Sequence, residues 1–328
     1  MLRWGIVGTG NIARTFARGL TKSGTGKLVA VGSRTQEAAE RFGAMFSADR
    51  RYDSYAALLA NDNVDAVYIA VPHPLHAEWA IRAAEAGKHI LCEKPLGLNH
   101  AEAMAIVEAA RRNDVFLMEA FMYRCHPQTS KLAELIRAKT IGDVRVIDAA
   151  FSFHAGSNPR SRVLDHALAG GGILDVGCYC TSMARLIAGV ATGKEFAEPV
   201  EVAGAAHIGP NSRVDEHAVA TLRFPSDIVA QLSTAVQLNQ ENSVRIWGTE
   251  GNIRVPQPWF AGGDSGISTI IVQRTGEQPR EIRVEAGAGL YTIEADIVAR
   301  SLPARQAASP CMTWEDSLGN MRTLDRWR

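Results

Sequence analysis

The sequence predicts an α/β chain: a doubly wound parallel sheet, followed by an α+β domain with an open, mostly antiparallel sheet. Three observations predict it. Apolar strands alternate with amphipathic helices over the first ~120 residues. The first strand runs into a glycine turn that opens a helix. The later strands follow one another across short polar turns, as antiparallel neighbours do. At 328 residues the chain exceeds one ordinary core, so two domains are expected, at 1–122 and 123–328.

Arg3-Trp4-Gly5-Ile6-Val7 reads as a buried strand. Gly8-Thr9-Gly10-Asn11-Ile12-Ala13 follows and opens a helix with Phe16, Ala17 and Leu20 on its apolar side. Gly8 permits the tight turn and Gly10 lets a pyrophosphate approach the backbone. Ala13 keeps the helix close to the strand. The free N–H groups of the helix start, at Asn11 and Ile12, and its positive dipole then face the anion. Residues 27–32 form a second strand, 36–46 a helix, 54–59 a short helix and 64–71 an apolar strand. A helix at 77–86, a strand at 89–92, a helix at 101–112 and a strand at 115–119 complete the alternation. Right-handed crossovers between them give the parallel sheet.

After Pro127 the pattern changes. A helix at 130–138 leads to a long strand at 144–153, and β-rich runs follow at 200–208, 218–224, 228–236, 243–247, 252–255 and 269–274. One helical stretch, 173–188, interrupts them, and helices at 291–301 and 314–327 end the chain. The last shows no capping signal, which leaves room for residues beyond Arg328.

Composition narrows the partners. With 35 basic and 35 acidic residues and no basic stripe, nucleic acid and anionic membranes are not expected. No apolar run approaches the ~20 residues of a membrane helix. A strand at Arg3 leaves no space for a signal peptide. Five scattered cysteines argue against a disulfide framework and for a cytoplasmic location.

A dinucleotide site that reads a ribose 2′-hydroxyl wants Asp or Glu after the second strand. Here Ser33-Arg34 stand there, and no acid comes before Glu37. A hydroxyl and a guanidinium suit a 2′-phosphate, so NADP is expected over NAD; the bland alternative is a solvated Arg34. Val71 ends the next strand, and Pro72-His73-Pro74-Leu75-His76 lie at the carboxyl edge, where ligands bind in such sheets. His73 and His76 fit a role lining the nicotinamide or capping the next helix. A metal would need further ligands, and none is expected.

Glu93-Lys94-Pro95 end another parallel strand. A partly buried lysine beside a positively charged nicotinamide ring serves as an acid or lowers the pKa of a neighbouring acid. The alternative is a surface lysine paired with Glu93. Further on comes Gly170-Gly171-Gly172-Ile173-Leu174-Asp175-Val176-Gly177-Cys178-Tyr179. At about 100° per residue, Val176, Cys180, Met183 and Ile187 form the buried stripe, and Cys178, Thr181 and Arg185 face solvent. Asp175 and Tyr179 share the flank between, where a cleft-lining pair belongs; the alternative is an N-terminal acid and a packed tyrosine. Cys178 and Cys180 point apart and are read as inert.

The Gly8-x-Gly10-x-x-Ala13 turn, Glu93-Lys94-Pro95 and the Gly-rich run with Asp175, Gly177 and Tyr179 occur in that order, ahead of an antiparallel C-terminal sheet. The chain thereby resembles the Gfo/Idh/MocA family (glucose–fructose oxidoreductase and inositol dehydrogenase), whose N-terminal half is a Rossmann domain. Most members carry His where Tyr179 stands. With Leu117-Met118-Glu119-Ala120 and Ser33-Arg34-Thr35, the tyrosine resembles the subgroup of dimeric trans-dihydrodiol dehydrogenase and NADP-dependent D-xylose dehydrogenase. The resemblance implies that Lys94 and Tyr179 are a catalytic pair, with Asp175 orienting the substrate. It implies NADP(H)-dependent hydride transfer at a CH–OH group of a sugar, polyol or cyclic diol, in a cleft between domains. Tyr179 would exchange the hydroxyl proton, its pKa lowered by Lys94. A homodimer or homotetramer through the C-terminal sheet is expected. Residues 153–169, expected to shape the substrate pocket, match neither enzyme closely. Two alternatives stay open: a non-catalytic dinucleotide-binding sensor or scaffold, and a reductase of a non-sugar ring such as an aromatic dihydrodiol, which an aromatic pocket would favour.

Overall fold

The computed structural model describes residues 1–328 except 157, 159, 160, 264 and 265. The chain divides into two compact units, Met1–Cys125 with Ala288–Ser317, and His126–Gly287 with Leu318–Arg328. The sequence division at residue 122 gave residues 288–317 to the second domain; in the structure they return to the first unit.

In the first unit, β1 (Leu2–Val7), α1 (Asn11–Leu20), β2 (Gly26–Gly32), α2 (Gln36–Phe46), β3 (Arg50–Tyr52) and α3 (Tyr55–Leu59) come first. Then follow β4 (Ala66–Ile69), α4 (His76–Glu85), β5 (His89–Glu93), α5 (His100–Arg112), β6 (Leu117–Ala120) and α6 (Met122–Cys125). The strands form one parallel sheet in the order β3-β2-β1-β4-β5-β6. The order reverses at β1, which opens a crevice at the carboxyl ends of β1 and β4.

Local chemistry explains the helices. α1 buries Ala13, Phe16, Ala17 and Leu20, one stripe at helical spacing. Phe16 stacks on Tyr68 with centroids 4.0 Å apart and meets the edge of Trp4 at 5.3 Å. Each such fully buried side chain contributes roughly 1.5–3 kcal/mol. Thr35, Ser54 and Asn99 cap α2, α3 and α5 with side-chain oxygens. The returning segment carries α9 (Leu290–Ser301), which packs on α1. Thr292 Oγ1 donates to Gly19 O at 2.8 Å, and the amide of Leu117 donates to Arg305 O at 3.0 Å. A buried Arg124–Asp316 ion pair at 2.6 Å adds to the attachment.

The second unit holds α7 (Pro127–Arg137), β7 (Val144–Ser152), α8 (Cys178–Ala191) and β8 (Glu201–Ile208). It continues with β9 (Asp215–Phe224), β10 (Ile228–Ala235), β11 (Val244–Gly248), β12 (Gly251–Val255), β13 (Ile267–Arg274) and β14 (Arg280–Glu285). Eight strands form one sheet, β14-β13-β12-β11-β7-β10-β9-β8, antiparallel except for β7 beside β10. α8 packs on β7 and β10, and α7 packs on α8. The opposite face leaves Val146, Val219, Val229 and Trp247 exposed. α10 (Trp314–Trp327) closes the chain, its first residues in the first unit and its remainder in the second.

Two expectations need correction. Cys178, Thr181 and Arg185 do not face solvent; all three are buried. The end of α10 covers that side: Asn320 Nδ2 donates to Cys178 O at 3.2 Å. Arg185 reaches Glu198 at 2.7 Å and lies over the Phe196 ring at 5.0 Å. This region is also more apolar than expected. Among the described residues, the 26-residue stretch His166–Ala191 is long and apolar enough to cross a membrane, but its apolar window is wholly buried in the protein.

Candidate active site

In the first unit, the residues singled out in the sequence gather at the carboxyl ends of the parallel strands. Gly8 closes the turn after β1, its amide on Gly32 O at 3.0 Å. Its φ is +106°, and a Cβ there would lie 2.6 Å from Ala70 O. Only glycine fits this turn. Gly10 is different. Its φ is an ordinary −71°, and a Cβ there would meet nothing within 4 Å. The fold itself does not require glycine at this position. Gly10 is also the N-cap of α1 and caps it without a side-chain hydrogen bond. The helix start, with Asn11 and Ile12, therefore presents backbone donors to an anion. A dinucleotide pyrophosphate fits that cradle.

Ser33 is buried at the end of β2, its Oγ 3.1 Å from Thr9 Oγ1. Arg34 follows, exposed. It approaches Tyr55, whose phenol is pushed up by burial and pulled back by the guanidinium. Val71 closes over Gly8, with Cγ1 3.6 Å from the position of a Gly8 Cβ.

His73 is buried in the short turn His73–Leu75. His76 is fully buried, with Nδ1 2.8 Å from Pro95 O and Nε2 2.9 Å from Val71 O. Its ring thus ties the loop after β4 to the loop after β5. It caps no helix, because α4 lacks a side-chain cap. Among the described residues, no three His, Cys, Asp or Glu side chains are grouped as a metal ion requires.

Glu93 is turned inward and accepts the hydroxyl of Tyr68. The returning segment brings Tyr291 and Glu294 to the same region. Burial, reinforced by the charge of Glu93, pushes both groups up. Lys94 follows Glu93 at the strand end, its amide 3.3 Å from Glu93 Oε2.

The second unit carries Asp175 and Tyr179. Residues Ile173–Gly177 form a π-helical turn that runs into α8. Asp215 on β9 anchors this turn, accepting the Ile173 amide at 2.6 Å. Gly171, with φ +110°, would place a Cβ 2.1 Å from Asp215 Oδ1, so glycine admits the carboxylate. Asp175 is buried and accepts from Arg162 Nη2 at 2.8 Å. Tyr179 lies edge-on to Phe151 at 5.1 Å and to Trp259 at 5.7 Å. Those two rings stack on each other at 5.4 Å, and the half-exposed Phe260 meets Phe151 at 5.8 Å. The tyrosine ring is therefore fixed in an aromatic wall. Of residues 153–169, positions 157, 159 and 160 lie outside the described residues.

Sequence reasoning missed Arg162, Asp215, Phe151, Trp259, Tyr291 and Glu294. Phe151 left a signal as a large ring within a predicted strand, Trp259 as one just after a predicted strand, and Tyr291 as the first residue of a predicted helix.

Residues 2–121 match the Gfo/Idh/MocA oxidoreductase family with an NAD-binding Rossmann fold, and residues 129–254 match the Gfo/Idh/MocA C-terminal domain. The chain belongs to this oxidoreductase family. It is 36% identical to trans-1,2-dihydrobenzene-1,2-diol dehydrogenase of Mus musculus, over 79% of this chain and 75% of the relative. It is 31% identical to D-xylose 1-dehydrogenase (NADP(+)) 2 of Haloferax volcanii, over 99% and 95%. Among solved structures, a 3-ketoreductase from Actinomadura kijaniata in complex with NADP and TDP-benzene superposes with TM-score 0.88 and 26% identity, covering 99% of this chain and 96% of that one. The chain is thus an NAD(P)-binding oxidoreductase whose relatives act on sugars and dihydrodiols.

Proposed function

We propose that this family member is an NADP(H)-dependent dehydrogenase or reductase of a CH–OH carbon in a sugar, polyol or cyclic diol. The observation that carries the reading is the empty space at Gly10 over an uncapped helix start, next to Ser33-Arg34 in place of an acid. Gly10, Asn11 and Ile12 would hold the pyrophosphate, and Ser33 and Arg34 the 2′-phosphate. The bound nicotinamide supplies the hydride donor or acceptor. Tyr179 exchanges the proton of the reacting hydroxyl, Lys94 assists it electrostatically, and Asp175 accepts a hydrogen bond from the substrate. Arg162 shares Asp175 and fixes its direction. The same reading assigns the protein to the cytoplasm, where buried thiols such as Cys92 and Cys180 stay reduced.

NADP(H) is expected to bind more tightly than NAD(H) by about 1–3 kcal/mol, the worth of a charged hydrogen-bonded contact. Titration of both cofactors by fluorescence quenching measures it. Equal affinities, or no loss in Arg34→Ala, overturn the assignment. A panel of aldoses, ketoses, inositols and cyclic diols with NADP then identifies the substrate.

The Phe151–Trp259–Phe260 wall favours a second reading, in which the substrate presents an apolar ring, as an aromatic dihydrodiol does. Higher kcat/KM for a cyclic dihydrodiol than for any aldose in the same panel selects it.

The open sheet face is proposed to pair with a second copy. Val146 lies beside Val229 on one side and Trp247 on the other, an apolar row across three strands. Light scattering at micromolar concentration is expected to give a dimer or tetramer, which Trp247→Lys converts to monomer. A wild-type monomer counts against the pairing.

A further inference from the structure

The Leu117-Met118-Glu119-Ala120 motif places a carboxyl group in the core. Glu119 is the penultimate residue of β6 and is only 1% exposed. A buried carboxyl is costly unless it is hydrogen-bonded. Its Oε1 accepts the Leu96 amide at 2.9 Å, and the Ser317 hydroxyl bonds the same carboxyl. Oε2 has no donor among the described residues. Leu96 is two residues beyond Lys94. On the other side of the same turn, His76 holds Pro95 O. The segment after β5 is thus gripped from β6 and from α4, immediately after the lysine.

We propose that Glu119 is a positioning residue for Lys94: by holding the Leu96 amide it fixes the turn that sets the lysine's direction. The proposal rests on the reading of Lys94 given above. Glu119 touches neither the pyrophosphate cradle nor Ser33-Arg34, so its effect falls on turnover and not on cofactor affinity.

Ionisation modulates the grip, since a carboxylate accepts more strongly than a carboxylic acid. Burial pushes Glu119 up to about 7, against the Ser317 hydroxyl and the Leu96 amide. The facing groups are Asp316 on α10, which raises it further, Arg124 on α6, which lowers it, and Cys92 on β5. Two consequences have opposite signs. The raised value contributes stability that is present below the ordinary carboxyl range and lost as pH rises through about 7. The hold on Leu96 tightens over the same rise, so turnover gains a limb with an apparent pKa near that value.

Hydrogen exchange of the cofactor-free protein reads the grip directly. In Glu119→Leu the Leu96 amide should exchange about tenfold faster or more, and in Glu119→Gln it should stay within about threefold of wild type. Turnover in Glu119→Leu should fall about 10–100-fold with KM for NADP(H) within about threefold, because a small displacement of a positioned group is enough. Glu119→Gln, a neutral acceptor at every pH, should hold turnover at the low-pH level of the wild type and lose the limb near neutrality. Loss of activity in Lys94→Ala with unchanged Leu96 exchange in Glu119→Leu overturns the role of Glu119 alone. Full activity in Lys94→Ala overturns the reading of Lys94, and the proposal with it, even if the exchange is faster. If Glu119→Leu does not fold, Glu119→Gln decides: disappearance of the limb supports the proposal, and its persistence overturns it.

Discussion

Tyr179→Phe is expected to bind NADP(H) almost normally and to lose turnover by about 10²–10⁴, the usual worth of a positioned acid–base group. The cofactor contacts assigned to Gly10, Asn11, Ile12, Ser33 and Arg34 belong to the first unit, and Tyr179 belongs to the second. The substitution also spares the ring's edge contacts with Phe151 and Trp259. Only the hydroxyl is removed, so folding should be unaffected. Lys94→Ala should lose a comparable factor. The double variant should be little worse than either single one, because groups acting as a unit are non-additive. A deuteride isotope effect establishes that chemistry limits the rate. If Tyr179→Phe then retains more than about a tenth of wild-type turnover, the assignment is wrong. His154, whose Nδ1 accepts the Gly156 amide at 3.0 Å, or His76 would be tested next.

The two glycines of the first turn are expected to separate stability from binding. Gly8→Ala forces a side chain into a left-handed backbone and a Cβ to 2.6 Å from Ala70 O. About 2–4 kcal/mol of stability should go, seen as a fall of several degrees in Tm. Gly10→Ala places its Cβ in open space at an ordinary φ. Its Tm should hold or rise slightly, since alanine restricts the unfolded chain. Its affinity for NADP(H) should nevertheless fall about tenfold or more, because the methyl occupies the approach of the pyrophosphate. Thermal unfolding and cofactor titration on both variants give the comparison. Wild-type affinity in Gly10→Ala would falsify the placement of the pyrophosphate.

The sequence displayed what periodicity and turn chemistry encode. Helices 36–46 and 314–327 are found with the expected limits, since apolar residues at helical spacing mark both. β3 and β14 were not anticipated, for a physical reason. Arg50-Arg51-Tyr52 is three residues long and polar, and Arg280–Glu285 alternates charges along a sheet edge. β3 lacks the apolar signal of a strand and β14 carries only a short one, Ile282 and Val284 between charged residues; each pairs with a single neighbour at a sheet edge. The 100° rule assigned one face of α8 to water because it assumes one covered face. The last residues of the chain cover the other, and nothing local in residues 173–188 announces that. The same holds for His76: its spacing from His73 was visible, but its two carbonyl partners, on Val71 and Pro95, arise only when two loops meet.

The return of Ala288–Ser317 to the first unit has a consequence for synthesis. Made from the N-terminus, the parallel sheet is complete at Ala120, yet Gly19 and Leu117 still wait for Thr292 and Arg305. Arg124 is without its counter-ion until Asp316 emerges. The first unit can therefore reach its final packing only after residues 288–317 have left the ribosome. Until then it holds an unfinished surface and a charge destined for burial, the state in which nascent chains aggregate or recruit chaperones. A fragment ending at Cys125 would remain in that state permanently. An isolated cofactor unit needs the late segment joined back onto it by a short linker after Cys125.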